Sequence, residues 1–437
     1  MTVNSASEPN VIIRPIDIGR DAEGLARMWN ESDAAWPGSW TDGVPLTAEV
    51  VREREESQRL LVTYVAEVDG EIAGYCSFEN GEHGERKGEG YLDLLNVNPK
   101  FQGMSIGRRL IQATIQRAVE EGWQRQTLGT WSANFKAVPA YKKTGHFWTP
   151  DTSVWMQNFV PGALQMSLAK PFFERHDWYR CYVREIQQEW DDQRWEGLKV
   201  FTERWEADGE SLTIWIDREA RAPVAVETDA VLIAAIAADI EPLAGSKVTL
   251  TWRVQNKGAE PLPIYLHALG DKGLTIDHRD AWTVAPGETV ERTAEVQVAD
   301  DAPAKKEEDE TVPAVRSVLR VGEDDLELFS GMAARQPLRL DTAPGEITVR
   351  PGTPQTIRLQ LHSEMAEPAT LVVRLTPPEG LATDWTWREV EIGPKGYAAL
   401  PLVLTAAEER VYRLPVRVDR PGAKAVTEEC AVFSLDT

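Results

Sequence analysis

Two hydrophobic patterns alternate along the first 165 residues of the chain. Apolar residues that recur at every second position, or run continuously, predict β-strands at VIIRPI (11–16), LLVTYVAEV (60–68), EIAGYCSFE (71–79) and YLDLLNV (91–97). The pair Asp69-Gly70 predicts a tight hairpin turn between two of these strands. Residues 107–122 carry apolar side chains at helical spacing and predict an amphipathic helix that ends at Gly122.

Two more helices are predicted between the first two strands. Leu25, Met28 and Trp29 have the spacing of one helix face. Thr47 is a natural N-cap for the next helix. Residues 80–90 (NGEHGERKGEG) offer nothing to bury and predict a loop.

The pattern changes after residue 165. Residues Phe172 to Trp195 predict one helix rich in Trp and Tyr, and the next segment predicts a hairpin with its turn near Asp208-Gly209. After about residue 225 short alternating strands recur between turns, a spacing typical of two β-sandwiches of about 100 residues each. Residues 300–313 (DDAPAKKEEDETVP) are charged and predict a disordered loop.

Together these patterns predict four units. They are an α/β (α+β) domain over residues 10–165, a helix-plus-hairpin connector over 166–224, a β-sandwich over 225–341 and a second β-sandwich over 342–437. A chain of 437 residues is too long for one hydrophobic core, which agrees with several domains.

Composition narrows the class of partner. The net charge of −23 argues against nucleic acid and anionic membrane, since both require a basic surface. The longest apolar run, 230–238, falls well short of the roughly 20 residues of a membrane helix and predicts a buried strand or helix. The six histidines form no HExxH pair, so no metal site is expected.

Cysteine usage and the beginning of the chain favour a cytoplasmic protein. Cys76, Cys181 and Cys430 are far apart and odd in number, which fits a reducing compartment better than a disulfide framework. The first ten residues lack a basic region followed by an apolar run, so a secretory signal is not expected.

The segment 91–109 (YLDLLNVNPKFQGMSIGRR) has the pattern of an anion site. A strand runs into a turn with Gly103 and Gly107, and the turn opens directly into a helix. The free N–H groups and the positive dipole end of a helix bind phosphate, and glycine lets the main chain approach the anion closely. No Lys-Ser/Thr follows the last glycine, so this is not a Walker A loop, and the GxGxxG fingerprint is absent as well.

Local charge points to the same segment. Between Pro99 and Gly145 eight side chains are basic and two are acidic, an excess of +6 in a chain of −23. The eight are Lys100, Arg108, Arg109, Arg117, Arg125, Lys136, Lys142 and Lys143.

Two motifs in this region resemble those of the GNAT superfamily of N-acetyltransferases. VNPKFQGMSIGRRL (97–110) is similar to the family's acetyl-CoA signature, in which a strand ends in V-x-P-x-(Y/F)-Q/R-x-x-G-x-G/A. The pattern Asn134-x-x-Ala137-x-x-x-Tyr141-x-x-x-Gly145 resembles the second signature, N-x-x-A-x-x-x-Y-x-x-x-G-F. The resemblance covers about 155 residues. The C-terminal part resembles immunoglobulin-like β-sandwich modules.

Three departures from the family pattern stand out. Ser105 occupies a position where the family usually has glycine. Pro139 lies in the segment that corresponds to the second CoA helix and removes a helical N–H. His146 stands between Gly145 and Phe147.

The resemblance implies direct transfer of an acetyl group from acetyl-CoA to an amine in a ternary complex, without a metal. It implies an oxyanion donor on the strand near Val97 and Tyr141 as the acid that protonates the departing thiolate. The alternative role of Tyr141 is a core residue that anchors its helix, and that of Asn134 is a helix N-cap. The residues implied to bind the cofactor are Leu95, Asn96, Val97, Gln102, Gly103, Met104, Ser105, Ile106, Gly107, Arg108 and Asn134.

The general base has no motif behind it. Asp93 is one candidate, and alternation places it on the same face as Tyr91, Leu95 and Val97. Glu79, at the end of the preceding strand, is the other. A structural carboxylate is the simpler interpretation of Asp93.

Two hypotheses about function remain open from the sequence. One is an N-acetyltransferase acting on a small amine, an aminoglycoside-like amine, a polyamine or a protein amine. The other is a CoA-binding sensor or degenerate acyltransferase domain that serves glycan- or protein-binding sandwiches. Trp29, Trp36 and Trp40 form either an aromatic lid over the acceptor or core packing. A homodimer through the sandwiches is one open arrangement.

Overall fold

The computed structural model describes residues 10–35, 41–57, 60–81, 88–150, 152–184, 186, 193–303, 311–420 and 425–435. Parts of three predicted features lie outside these residues: the loop 80–90, the loop 300–313 and the tryptophans Trp36 and Trp40. Among the described helices, none combines the length and the apolar character needed to cross a membrane.

The N-terminal part contains one seven-stranded sheet in the order β1-β2-β3-β4-β5-β7-β6. Strand β4 pairs with β5 in parallel, and the other described pairings of this sheet are antiparallel. Asp69 and Gly70 have φ of 50° and 87° and form the predicted hairpin turn between β2 and β3. The strands are β1 Val11–Pro15, β2 Val62–Val68, β3 Glu71–Asn80, β4 Glu89–Val97, β5 Arg125–Gly129, β6 His146–Trp148 and β7 Trp155–Asn158.

Helices cover this sheet on both faces. Helix α1 begins after Asp17, whose carboxylate accepts the N–H of Arg20, and Thr47 accepts the N–H of Val50 at the start of α2, as predicted. Helix α1 packs with α2 against Tyr75 of β3, whereas α3 packs against Phe78 on the opposite face. The helices are α1 Ile18–Ser32, α2 Ala48–Ser57, α3 Ile106–Glu120, α4 Val138–Lys143, α5 Val160–Gln165 and α6 Lys170–Arg175.

The single helix expected from Phe172 to Trp195 is wrong. Helix α6 ends at Arg175, and the carboxylate of Asp177 then accepts the N–H groups of Tyr179 and Arg180. An Asp side chain that satisfies nearby N–H groups in this way competes with helical hydrogen bonding. The chain then follows strand β9 (Leu198–Ala207), where the N–H of Val183 donates to the carbonyl of Arg204.

Strands account for nearly all secondary structure after α6, as predicted. An eight-stranded sheet, β15-β17-β13-β12-β11-β10-β9-β8, shares its core with a four-stranded sheet, β16-β14-β18-β19. Trp252 on the first sheet donates its indole N–H to Ser317 on the second over 2.8 Å. The strands are β8 Gln193–Trp195, β9 Leu198–Ala207, β10 Glu210–Asp217, β11 Ala222–Thr228, β12 Val231–Ala237, β13 Lys247–Asn256, β14 Leu262–Gly270, β15 Leu274–Thr275, β16 Asp277–Val284, β17 Thr289–Val298, β18 Ala314–Val321 and β19 Asp324–Gly331.

A second pair of sheets encloses a separate core. The four-stranded sheet β20-β22-β26-β24 and the five-stranded sheet β21-β28-β27-β23-β25 bury leucine and valine side chains between them. The immunoglobulin-like character of these modules stays a prediction. The strands are β20 Leu338–Ala343, β21 Ile347–Val349, β22 Gln355–Ser363, β23 Ala369–Leu375, β24 Leu381–Thr383, β25 Trp387–Ile392, β26 Tyr397–Ala406, β27 Arg410–Asp419 and β28 Val426–Ser434.

The hairpin predicted within the connector is hydrogen-bonded into the first large sheet. Its turn lies at Asp208-Gly209, as predicted, and β10 pairs with β11. The predicted boundary at residue 225 falls inside β11, so this sheet continues across it. The domain boundaries themselves stay predictions.

Aromatic packing joins the N-terminal sheet to the first large β-sheet. The ring of Phe201 on β9 lies 4.6 Å from that of Phe147 on β6 and 5.7 Å from that of Phe159. All three rings are buried, and the core that contains them is continuous from the N-terminal sheet into the sandwich. The two regions therefore share one hydrophobic core.

Replacing Phe201 with alanine should destabilise the protein strongly, because it leaves a cavity where three rings meet. We expect the free energy of unfolding to fall by about 3–5 kcal/mol, measured by denaturant titration. The control Tyr265→Ala removes a ring that is 57% exposed and should change that free energy by less than about 0.5 kcal/mol. Equal effects of the two substitutions would contradict the shared core.

Candidate active site

Strands β4 and β5 separate at the middle of the N-terminal sheet. Their parallel pairing runs from Glu89↔Arg125 to Leu92↔Leu128 and then stops, while β4 continues to Val97. The main chain of β4 beyond Leu92 therefore faces a gap on its β5 side. Leu95, Asn96 and Val97, all predicted binding residues, are half-buried along this gap.

A bulge in β4 coincides with the start of the gap. Ser77 of β3 pairs with Leu94, whereas the next residue, Phe78, pairs with Leu92. Asp93 has no partner in this register, which is the arrangement of a β-bulge. The hydroxyl of Ser77 donates to the carboxylate of Asp93 over 3.2 Å.

The bulge corrects the predicted orientation of Asp93. Leu92 and Leu95 both pack into the core that contains α3, although they are an odd number of residues apart. Alternation is therefore reversed between them, and the prediction that Asp93 shares a face with Leu95 and Val97 is wrong. Asp93 shares the face opposite α3 with Tyr91, because these two residues flank Leu92.

A tight turn connects β4 to α3. Asn98 accepts the N–H of Lys100 at the start of a short 3₁₀ turn, Pro99–Phe101. Gly103 follows with a φ of 89°, a conformation that glycine adopts without steric cost. The first helical bond of α3 runs from the N–H of Arg109 to the carbonyl of Ser105.

The N–H groups from Gly103 to Arg108 bond to none of the residues that the structure describes. They stand at the positive end of the 15-residue helix α3. Gln102, Gly103 and Ser105 are exposed, Met104, Gly107 and Arg108 are half-buried, and the side chain of Ile106 lies in the core. Ile106 therefore offers only its main chain to this site.

Ser105 occupies the position where the family pattern has glycine, and its backbone takes the left-handed conformation. Its φ is 57°, and its side chain makes no capping hydrogen bond to α3. This conformation costs a non-glycine residue about 1–2 kcal/mol. Serine in place of glycine at position 105 thus strains the turn but leaves the N–H groups of the turn in place.

Four of the eight basic residues counted in this region are bound by groups of the protein itself and a fifth, Lys142, is buried, so the excess of +6 overstates the charge available to a ligand. Arg108, Lys136 and Lys143 have no salt-bridge partner among the described residues. The paired groups are Lys100 with Glu71, Arg117 with Glu121, Arg125 with Glu89, and Arg109 with the carbonyl of Val11.

Arg108 is held by a residue that the sequence did not single out. Its guanidinium carbon lies 4.9 Å from the ring centre of Tyr179, which follows α6. The Nε of Arg108 is buried and bonds to no described residue. The sequence shows that the connector is rich in aromatic residues. The contact of Tyr179 with α3, however, depends on the turn at Asp177.

The second predicted signature forms the segment between β5 and α4. The amide of Asn134 donates to the hydroxyl of Thr130 and accepts the N–H of Ala137, each over 3.2 Å. Helix α4 begins at Val138 with Ala137 as its N-cap, so Asn134 lies one turn before the cap position. Pro139 is in the first turn of α4, where no helical N–H is required, and it does not disturb the helix.

Tyr141 of α4 lies in the hydrophobic core. Its side chain is 6% exposed, and its hydroxyl makes no hydrogen bond to the described residues. Burial raises the pKa of Tyr141 well above its ordinary value, and the nearby Cys76 and Tyr91 raise it further. The phenol is therefore protonated throughout the physiological pH range.

His146 is a buried neutral histidine beside Tyr141. Its Nδ1 lies 3.1 Å from the carbonyl of Tyr141 and 3.3 Å from the amide of Asn158, and its Nε2 lies 3.3 Å from the amide of Gln126. Burial lowers the pKa of His146 to about 3. The departure from the family pattern at this position is accommodated by polar neighbours.

The two candidate bases flank Tyr91 on the face opposite α3. Glu79 is the register partner of Tyr91 on β3, and Asp93 lies two residues further along β4. Burial, followed by the charges of Asp93 and Glu79, raises the pKa of Tyr91. Within the described residues no cluster of His, Cys, Asp and Glu has the arrangement of a metal site.

A family model matches within the N-terminal part of the chain. Residues 25–146 match the model of the acetyltransferase (GNAT) family, and the sheet order, the separation of β4 from β5 and the turn before α3 lie within or beside this segment. The match covers less than a third of the chain. It confirms the resemblance drawn from the two signatures.

Solved structures of acetyltransferases are similar to about a third of the chain. A GNAT acetyltransferase of Streptococcus pneumoniae is 20% identical over 34% of this chain and 98% of its own, with a TM-score of 0.29. A GNAT acetyltransferase of Brucella melitensis in complex with acetyl-CoA is 20% identical over 34% and 86%, with a TM-score of 0.26. An N-acetyltransferase of Thermoplasma acidophilum in complex with coenzyme A is 17% identical over 34% and 99%, with a TM-score of 0.27.

His146 should make the protein less stable in acid. The unfolded chain takes up a proton near pH 6.5, whereas His146 in the folded protein stays neutral down to about 3. Its contribution to stability is therefore complete above about pH 6.5 and falls by up to about 1.4 kcal/mol per pH unit below that value. We expect His146→Gln to flatten the loss of unfolding free energy between about pH 6 and 5, measured by urea titration. Equal slopes in the two proteins would exclude this role.

Proposed function

We propose that the N-terminal GNAT domain binds acetyl-CoA and transfers its acetyl group directly to an amine held in the same complex. The observation that carries the proposal is the row of N–H groups from Gly103 to Arg108, which bond to no described residue, beside a gap that exposes the main chain of β4. A row of this kind at a helix N-terminus suits a pyrophosphate. The gap suits an extended chain that bonds to β4 in the manner of a strand.

The proposed cofactor site uses residues from three segments. The pyrophosphate would lie on the turn from Gln102 to Gly107, with Arg108 as the adjacent cation. The pantetheine amides would bond to the main chain at Leu95, Asn96 and Val97. Asn134, beside the far edge of the gap, would contact the pantetheine arm of the cofactor as well.

The proposed chemistry needs three groups around the thioester. As the amine attacks the carbonyl carbon, the carbonyl becomes an oxyanion, and a main-chain N–H of β4 near Val97 would stabilise it. The C–S bond then breaks, and Tyr141 would give its proton to the departing thiolate. Asp93 or Glu79 would accept the proton that the amine loses, directly or through water.

The cellular location, the charge of the acceptor and the oligomeric state are proposals as well. We place it in the cytoplasm, because Cys76, Cys181 and Cys430 are free thiols. The net charge of −23 favours a cationic acceptor through long-range attraction. A homodimer through the β-sandwiches stays open.

Substitution of Gly107 tests the cofactor site. A Cβ added at Gly107 would lie 3.7 Å from Val97 and 3.9 Å from Leu95, which is ordinary contact, so alanine fits the free protein. The branched side chain of valine would extend into the space between the turn and β4. We expect acetyl-CoA at 100 times its Kd to stabilise the parent by about 2.7 kcal/mol, Gly107→Ala by less, and Gly107→Val not at all, measured as a shift in Tm.

The matched control for Gly107→Val is Gln116→Val on the same helix. Gln116 is exposed and lies more than two turns from the cofactor site. This variant should keep the full shift with acetyl-CoA. A full shift in Gly107→Val as well would remove the turn from the proposed site.

Substitution of Tyr141 tests the proposed acid. Tyr141→Phe keeps the buried ring, and its hydroxyl bonds to no described residue, so folding and the Kd for acetyl-CoA should not change. Loss of a general acid should lower kcat by about 10²-fold or more, measured by thiol release with the fastest amine of an aryl, alkyl and polyamine panel. Tyr265→Phe, an exposed tyrosine of the first sandwich, should keep the parental kcat. If Tyr141→Phe also keeps it, Tyr141 is a packing residue.

A further inference from the structure

The face of the N-terminal sheet opposite α3 carries a row of carboxylate and aromatic side chains. Residues paired across strands point to the same face, and the register pairs Glu79 with Tyr91, Tyr91 with Thr127, and Gly129 with Trp155. Gly129 lies two residues after Thr127 and therefore shares its face. The row thus runs from Glu79 through Tyr91 to Trp155.

The aromatic part of this row is open to solvent. The ring of Trp155 is 40% exposed and lies 6.2 Å from that of Tyr91, at an interplanar angle of 55°. Trp155 also covers Gly129, where an added Cβ would lie 3.3 Å from the indole ring. The absence of a side chain at Gly129 therefore lets the indole lie flat on the sheet beside Tyr91.

A second exposed tryptophan extends the aromatic surface. The N–H of Thr130 donates to the carbonyl of Val154 over 2.8 Å and continues the pairing one residue beyond β5. Trp131 comes next, just beyond the end of β5, and it is 46% exposed. Trp131 and Trp155 thus lie at the end of β5 that is separated from β4.

The carboxylates lie next to this aromatic surface. Asp93 shares the face of Tyr91, and Glu79 is the register partner of Tyr91. Negative charge beside aromatic rings suits an ammonium group, which is attracted both to carboxylates and to ring faces. The indole rings suit a flat apolar body attached to that ammonium group.

We propose that the acceptor is an amine borne on an aromatic or flat apolar body, with Trp155, Tyr91 and Trp131 as the wall that binds this body and Asp93 and Glu79 as the groups that bind the ammonium. This inference rests on the proposed acetyl transfer and narrows its substrate class. A polyamine or an aminoglycoside carries charge along its whole length and would place polar groups against the indoles. Its binding would therefore gain less from the exposed rings than the binding of a flat apolar body.

A panel of amines with the full-length protein tests the inference. The probes are 2-phenylethylamine, n-propylamine, spermidine and kanamycin, with acetyl-CoA held constant and thiol release as the readout. We expect kcat/KM for 2-phenylethylamine to exceed that for each of the other three amines at least tenfold. The preference arises from KM, because the ring is bound in the ground state and in the transition state alike.

Variants of Trp155 separate recognition of the ring from a structural effect. Trp155→Ala should lower kcat/KM for 2-phenylethylamine about tenfold and leave kcat/KM for n-propylamine within a factor of two. Trp155→Phe keeps an aromatic surface and should retain most of the parental preference. The control Trp387→Ala, at a 61% exposed tryptophan of the second sandwich, should match the parent with every amine.

The outcomes distinguish the substrate class from the reaction. Turnover that favours spermidine, kanamycin or n-propylamine, or an equal loss with all amines in Trp155→Ala, overturns the aromatic acceptor and leaves acetyl transfer intact. Binding of acetyl-CoA without turnover of any amine overturns the proposed transfer, and the acceptor assignment with it.

Discussion

The candidate site depends on the separation of β4 from β5 after Leu92 and Leu128. A strand that loses its neighbour keeps main-chain N–H and carbonyl groups that need partners, and burying them unpaired is costly. The bulge at Asp93 begins at the same point and places Leu95 and Val97 on the face opposite to that of Asp93. The gap, the turn before α3 and the two faces of the sheet therefore meet at one place in the N-terminal domain.

Local features of this domain could be predicted because short-range chemistry determines them. The hairpin at Asp69-Gly70 and the strand–turn–helix segment need no distant residue, and the structure contains both. The orientation of Asp93 could not be predicted, since strict alternation fails at a bulge that only the β3–β4 register reveals. The contact of Tyr179 with Arg108 was equally inaccessible, because it depends on where the connector runs.

Net charge is a poor guide to this anion site. The chain carries −23, and four of the eight basic residues near the turn are bound by acids or by a carbonyl of the protein itself. Lys142 is buried, so what remains is the helix dipole, a row of N–H groups and the side chains of Arg108, Lys136 and Lys143. Such fixed dipoles act at short range and lose little to screening by salt, whereas the overall negative charge acts at long range on solutes that approach.

The first β-sandwich contacts the N-terminal domain through a shared core, and its strand β9 also binds the connector. Phe201 joins the hydrophobic cores, and Tyr182, a half-buried residue of the connector, donates its hydroxyl to the buried Glu203 on β9. A buried carboxylate is costly without a well-placed donor. This bond therefore favours one position of the connector on β9 over its alternatives. The same connector brings Tyr179 onto Arg108, three residues after the αL residue Ser105. The connector, which is hydrogen-bonded to β9, therefore contacts the start of α3, where small displacements of N–H groups would matter most for an anion.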